Sequence, residues 1–126
     1  MIADNCDSLG TKWRGKYLTD NAVASSCSFY PAHHITMGEG GAVVTKNGVI
    51  NKVLESIRDW SRDCWCAPGD ADTCNRRYDW ELGNLPYGYD HKYIYSHIGY
   101  NLKLTDLQAS VAVSYTHLTL PTKRIV

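Results

Sequence analysis

The chain has 126 residues, enough for one domain at most. It is 44% apolar and 21% charged, with thirteen basic against thirteen acidic side chains. That balance leaves no clustered basic surplus to grip a nucleic-acid backbone, so no nucleic-acid partner is expected. No run of about 18 apolar residues offers a membrane span, and no membrane partner is expected. The N-terminus, MIADNCDSLG, lacks the basic and apolar regions of a signal peptide, so a cytoplasmic location is expected. In such a reducing compartment the five cysteines, an odd number, are expected as thiols or metal ligands rather than disulfides.

Residues 1–6 read as the end of a buried strand and Ala22 to Phe29 as a second short one. Gly38, Gly40 and Gly41 mark a turn, Ala42 to Thr45 a brief strand, and Lys46-Asn47-Gly48 another turn. Val49, Ile50, Val53, Leu54, Ile57 and Trp60 fall at helical spacing, which predicts an amphipathic helix of about four turns. Residues 64–94 keep no period. Their glycines, two prolines, four tyrosines and three cysteines predict a long loop, and aromatic residues at this density predict that it is ordered. Thr105-Asp106-Leu107-Gln108 is a capping-box pattern and predicts a helix start. Val113 to Thr122 back-translates as a transposon-end adapter read through in frame. Residues 113–126 are therefore expected to be a non-native tail that cuts the helix short, and His117 is given no role.

Cys64-Trp65-Cys66 is followed by Cys74 after seven intervening residues, and Cys6 precedes Cys64 by 57 intervening residues. A single buried cysteine is commonly a small hydrophobe, and Cys27, inside a strand, reads that way. Three within eleven residues on a polar loop point instead to metal. Zinc sites favour pairs two to four residues apart, whereas iron–sulfur spacings vary more widely. Spacing alone leaves both open, and a small zinc-stabilised binding module remains a rival reading.

The adjacent histidines of SFYPAHHITMGEGG sit between a strand end and a glycine turn. By itself such a pair is more commonly a solvated loop feature than a site. The stretch from Ser28 to Thr45, however, resembles the segment of the DegT/DnrJ/EryC1/StrS sugar aminotransferase family that reads Ser-Phe-x-Pro-x-Lys followed by a Gly-Glu-Gly-Gly turn. In that family the lysine holds pyridoxal phosphate covalently. Here His33 occupies its place. The intervals among Cys6, Cys64, Cys66 and Cys74, with RDWSRDCWC, LPYGYDHKY and SHIGYNLKLTDLQA, are similar to one branch of the family that has histidine at the lysine position and a cysteine-held cluster.

The resemblance covers residues 1 to about 112 and implies an α/β fold, part of the large domain of fold type I pyridoxal-phosphate transferases, with a mostly parallel sheet and flanking helices. It implies Asp4, 29 residues before His33, as the partner of the pyridine nitrogen. Ser28 and Asn101 become phosphate ligands, Asn101 toward a neighbouring subunit of a homodimer, and Tyr30 a residue lining the site. Cys6, Cys64, Cys66 and Cys74 become ligands of a 2Fe–2S cluster. His33 becomes a base beside a cofactor in its pyridoxamine 5′-phosphate form. Imidazole makes no lasting Schiff base but takes a proton near neutral pH. The implied reaction removes the C3 hydroxyl of a CDP-linked 4-keto-6-deoxyhexose, for 3,6-dideoxyhexose and lipopolysaccharide O-antigen synthesis. Its electrons come from an NADH-dependent iron–sulfur flavoprotein reductase. A cluster-free dehydratase of GDP-linked sugars shares the histidine and stays as the alternative. The chain is expected to be a fragment, inactive by itself. His34 and Glu39 are given no role.

Overall fold

The computed structural model describes residues 1–66 and 69–122. The chain forms two compact units: residues 1–48 with 104–126, and residues 49–103.

The first unit is organised by a three-stranded sheet. Strand β1 (Ile2–Asp4) runs parallel to β4 (Ala24–Ser28), and β4 runs antiparallel to β5 (Gly41–Val44), giving the order β1–β4–β5. The sheet is therefore mixed, where the resemblance implied a mostly parallel one. The reason lies in the link from Phe29 to Gly40. It holds turns but no helix, and a parallel return needs a longer crossover that is usually helical. β4 is the central strand and carries small residues: Ala24, Ser25 and Cys27 are buried between its neighbours. Gly41 is required where β5 meets β4, because a Cβ there would stand 2.8 Å from the Cys27 carbonyl oxygen.

Between β1 and β4 the chain makes a small hairpin that the sequence reading missed, with β2 (Lys12–Trp13) paired to β3 (Lys16–Tyr17). Arg14 and Gly15 form its turn, both with positive φ, 50° and 77°. Two left-handed central residues make the turn that matches strand twist in tight hairpins. Helix α2 (Asp106–Thr122) starts where the capping box predicts. Thr105 Oγ1 accepts from the Gln108 amide at 3.3 Å, and the Gln108 side chain accepts from the Thr105 amide at 3.1 Å. The Gln108 amide group also donates to the Glu39 carbonyl at 3.1 Å, which ties α2 to the glycine turn. The helix runs to Thr122 rather than stopping near residue 113, so the segment expected to break it is helical.

The second unit opens with the rest of helix α1 (Gly48–Arg58). Its apolar spacing was read as four turns reaching Trp60, but the helix ends at Arg58. Trp60 and Ser61 follow with φ of 64° and 58°, a left-handed pair that turns the chain out of the helix. The turn is locked from the side. Tyr100 N–H donates to the Ile57 carbonyl at 2.8 Å, and Leu102 N–H to that of Arg58 at 2.9 Å. Ser61 is fully buried against Gly99, where any Cβ would collide with the Ser61 amide and hydroxyl.

Between α1 and a short 3₁₀ turn at His91–Tyr93 the described residues form only turns and two isolated bridges, at Asp59 and Arg62, as the missing period predicts. The loop is ordered by polar contacts. The Arg77 guanidinium donates to both carboxylate oxygens of Asp90, at 2.9 and 2.6 Å. Buried His91 places Nδ1 at 2.8 Å from the Arg77 carbonyl and its ring 5.4 Å from that of Trp80. The ion pair holds the Asp90 carboxyl below the ordinary range and raises the Arg77 guanidinium.

Candidate functional site

In the first unit the site grows from the C-terminal end of β1. Parallel register sets Asp4 opposite Ser26 of β4. One carboxylate oxygen of Asp4 accepts from the Ser26 hydroxyl at 3.1 Å and from the Cys6 amide at 3.1 Å. The Cys6 thiol, then its amide, then Ser26 hold the Asp4 carboxyl below its usual value, with a smaller contribution from His33. The same contact with Asp4 pushes the Cys6 thiol up. Asp4 is exposed and stays ionised, the state needed to pair with a protonated ring nitrogen.

After β4 the chain turns sharply. The Tyr30 amide donates to Ser28 Oγ at 3.2 Å, and the His33 amide donates to the Tyr30 carbonyl at 3.0 Å. Ser28 Oγ thus spends one lone pair inside the turn and keeps its own proton for an outside acceptor. The Tyr30 and His33 rings stand 6.4 Å apart, edge to face. His33 Nδ1 lies 2.9 Å from Asp7 Oδ1, and the His33 side chain is four-fifths covered. Sequence reasoning did not single out Asp7. Its one signal was a second carboxylate three residues after Asp4, and nothing local shows that it meets a histidine 26 positions on.

So the structure brings Asp4, Cys6, Ser28, Tyr30 and His33 into one connected stretch of the first unit. Asn101 belongs to the second unit. There its side-chain oxygen accepts from Lys103 Nζ at 2.8 Å, and Lys103 also pairs with Asp59.

Cys64, Cys66 and Cys74 are likewise in the second unit, and Cys6 is in the first. All five cysteines are free thiols, with Cys27 buried in β4 as expected. Cys64 and Cys66 line a cavity of about 290 Å³ with Lys52, Arg58, Arg62 and Trp65. Contacts from the Thr73 side chain and the Cys74 amide, with a smaller one from the Cys64 thiol, bring the Cys66 thiol down to about 6. Burial pushes the Cys64 thiol up, with Cys66 and Cys74 close enough to add to the effect. Among the described residues no three His, Cys, Asp or Glu side chains are gathered tightly enough to hold a metal ion as they stand. The same cavity wall carries the Glu55 and Asp59 carboxylates beside the cations of α1 and Arg62.

With a carboxylate on β1, a histidine after β4 and a glycine turn leading into β5, comparison with known proteins decides the family. Residues 1–119 match the DegT/DnrJ/EryC1/StrS aminotransferase family. The chain belongs to that family. It is 57% identical over 114 residues to the lipopolysaccharide biosynthesis protein RfbH of Salmonella typhimurium strain LT2, covering 90% of this chain and 26% of that protein. It is 54% identical over 114 residues to the dTDP-4-dehydro-2,6-dideoxy-D-glucose 3-dehydratase of Saccharopolyspora spinosa, covering 90% and 25%. A GDP-4-keto-6-deoxy-D-mannose 3-dehydratase of Yersinia pseudotuberculosis is 32% identical over 65 residues, half of this chain and 16% of that enzyme. The chain thus spans about a quarter of the length of the first two relatives. No helix among the described residues is long and apolar enough to cross a membrane.

Proposed function

We propose that the protein to which this chain belongs is a pyridoxamine-phosphate-dependent 3-dehydratase. It removes the C3 hydroxyl of a nucleotide-linked 4-keto-6-deoxyhexose, CDP-linked as the resemblance implies, and draws electrons through a 2Fe–2S cluster. The observation that carries this reading is His33, standing where the family has its lysine and held at Nδ1 by Asp7.

Bound pyridoxamine phosphate supplies an amine that condenses with the 4-keto group and a ring that takes up electron density. The chain supplies the rest. Asp4, kept ionised by Cys6 and Ser26, holds the ring nitrogen protonated. Ser28 would direct its hydroxyl proton at the phosphate, and Asn101 its NH₂ at the phosphate bound in the neighbouring subunit. Tyr30 lines the space beside His33. With Nδ1 bonded to a carboxylate, the imidazole carries its proton there and presents Nε2 as the acceptor, the group that would serve as base toward the cofactor's C4′. In this reading Cys6, Cys64, Cys66 and Cys74 would hold the cluster, which would supply one-electron reduction, with an NADH-dependent iron–sulfur flavoprotein as the electron source.

The enzyme in this reading is a cytoplasmic homodimer serving lipopolysaccharide deoxysugar synthesis. Residues 1–112 are a piece of its cofactor-binding domain, inactive alone, and residues 113–126 are an adapter-derived tail. The test is anaerobic assembly of the complete enzyme, with iron, sulfide and cofactor measured on one sample and C3 deoxygenation followed by NMR. About two irons and two sulfides per chain with a 3-deoxy product are expected. Pyridoxamine phosphate without iron would transfer the protein to the cluster-free dehydratases, and zinc without cofactor would make it a binding module.

A further inference from the structure

The first unit holds a cavity of about 230 Å³ that the chemistry above leaves unused, walled in part by Asn5, Leu9, Thr11, Tyr17, Leu18 and Cys27. It lies on the back of the sheet. The Asn5 amide donates to the Ser26 carbonyl at 2.9 Å and continues the β1 ladder by one bond. Successive residues of a strand face opposite ways, so Asn5 and Cys27 stand on the face away from Asp4 and Ser26. Asn5 is held elsewhere too. Its carbonyl accepts from the Ser8 amide at 3.2 Å, and its Oδ1 accepts from the Ser8 hydroxyl at 2.9 Å. The residue is 3% exposed, and its Nδ2 is buried with no hydrogen-bond partner among the described residues. A buried donor without an acceptor is costly unless something entering the cavity accepts from it. Among the described residues no charged side chain lines the cavity, which argues against a phosphate or a carboxylate as occupant. The rim is apolar and open, with Leu9 37% and Tyr17 49% exposed.

We propose that this cavity seats a segment, outside residues 1–126, of the protein to which this chain belongs. The segment inserts an apolar side chain against Leu9, Leu18 and Cys27 and gives a backbone carbonyl to Asn5 Nδ2. The chain spans about a quarter of the length of the first two relatives above, so a longer polypeptide is at hand to supply it. A carbonyl is the acceptor that suits the site, because the Asn5 amide is a neutral donor and the wall has no cation to hold an anion. The last four carbonyls of a helix have no partner in their own ladder and are a ready source of one. Water could satisfy the donor, but waters lying against Leu9, Leu18 and Cys27 would lack the polar partners that hold buried water in place. The inference needs neither the cofactor nor the cluster reading.

The experiment places p-benzoylphenylalanine at position 9 of the complete protein, in place of Leu9, irradiates it, and maps the cross-linked peptides by mass spectrometry. In parallel, modification of Cys27 by methyl methanethiosulfonate, a small neutral thiol reagent, is timed in wild type, Asn5→Ala and Asn5→Asp. Asn5→Asp keeps the acceptor for Ser8 and loses the donor. The expected cross-link joins position 9 to a peptide outside residues 1–126 of the same polypeptide, and the product migrates as a monomer. Both Asn5 variants should open the cavity and raise the Cys27 rate about tenfold. Cross-links confined to residues 1–126, as a water-filled cavity or a small-molecule ligand would give, overturn the proposal, and so does a product of dimer mass. A Cys27 rate within about twofold of wild type in both variants takes the Asn5 donor out of the contact and overturns it as well. If neither variant folds, the cross-link from position 9 decides alone. Neither readout depends on activity or bound cofactor, so failure of this inference and failure of the dehydratase reading are separate results.

Discussion

His33 Nδ1 and Asp7 Oδ1 meet at 2.9 Å across 26 residues of sequence, joining the turn after β1 to the turn after β4. Asp7 is almost fully exposed, so the pair stabilises the fold little, whereas its effect on the imidazole is specific. It fixes which nitrogen carries the proton and how the ring is aimed. Asp7→Asn should lower kcat about tenfold with little change in KM, because orientation is weakened but the base remains, while His33→Asn should cost roughly 10²–10⁴-fold. Steady-state kinetics on both variants separates the roles. Equal losses would make Asp7 something other than a positioning group.

The Arg77–Asp90 pair gives a pH signature. The folded Asp90 carboxyl lies below its ordinary value, so the pair's contribution is complete above about pH 4 and fades as pH falls through the lowered value. Trp80, stacked near His91 in the same loop, reports the change by fluorescence. Wild type should hold its Trp80 signal down to about pH 4 and lose it below, whereas Arg77→Gln should give up the signal at a higher pH. Superimposable acid titrations of the two proteins would show that the pair does not order the loop.

Gly99 offers a packing test. A methyl group there falls on the Ser61 amide and hydroxyl, and Ser61 is fully buried with its backbone tied to Ser56. Overpacking of this kind typically costs about 1–3 kcal/mol. Gly48, at the first position of α1, has open space around it, so its alanine variant should stay within about 0.5 kcal/mol of wild type. Thermal denaturation of Gly99→Ala and Gly48→Ala checks the contrast.

Local signals were legible and long-range ones were not. Capping at Thr105 and Gln108, the small-residue strand at β4 and the aperiodic loop after Cys64 follow from residues close in sequence, and each stands where the pattern puts it. The hairpin around Arg14-Gly15 was missed because strands two residues long show no alternation, and its only mark was an X-Gly pair between Trp13 and Tyr17. Trp60 was read into α1 because it fits the helical period, but the clash-free approach of Gly99 to Ser61 selects a left-handed exit instead. The family motif put His33 in view at once, while Asp7, which meets its Nδ1 across 26 residues, becomes visible only when the chain is folded.

The central claim is that His33 works as a proton acceptor where the family's lysine would anchor the cofactor. Deuterium incorporation at C4′ of bound pyridoxamine phosphate tests it most directly, with the complete enzyme and its 4-keto sugar in D₂O followed by NMR of the released cofactor. Substrate-dependent exchange in wild type that is abolished in His33→Asn and only slowed in Asp7→Asn is the predicted result. Exchange that continues undiminished in His33→Asn would contradict it and require another base.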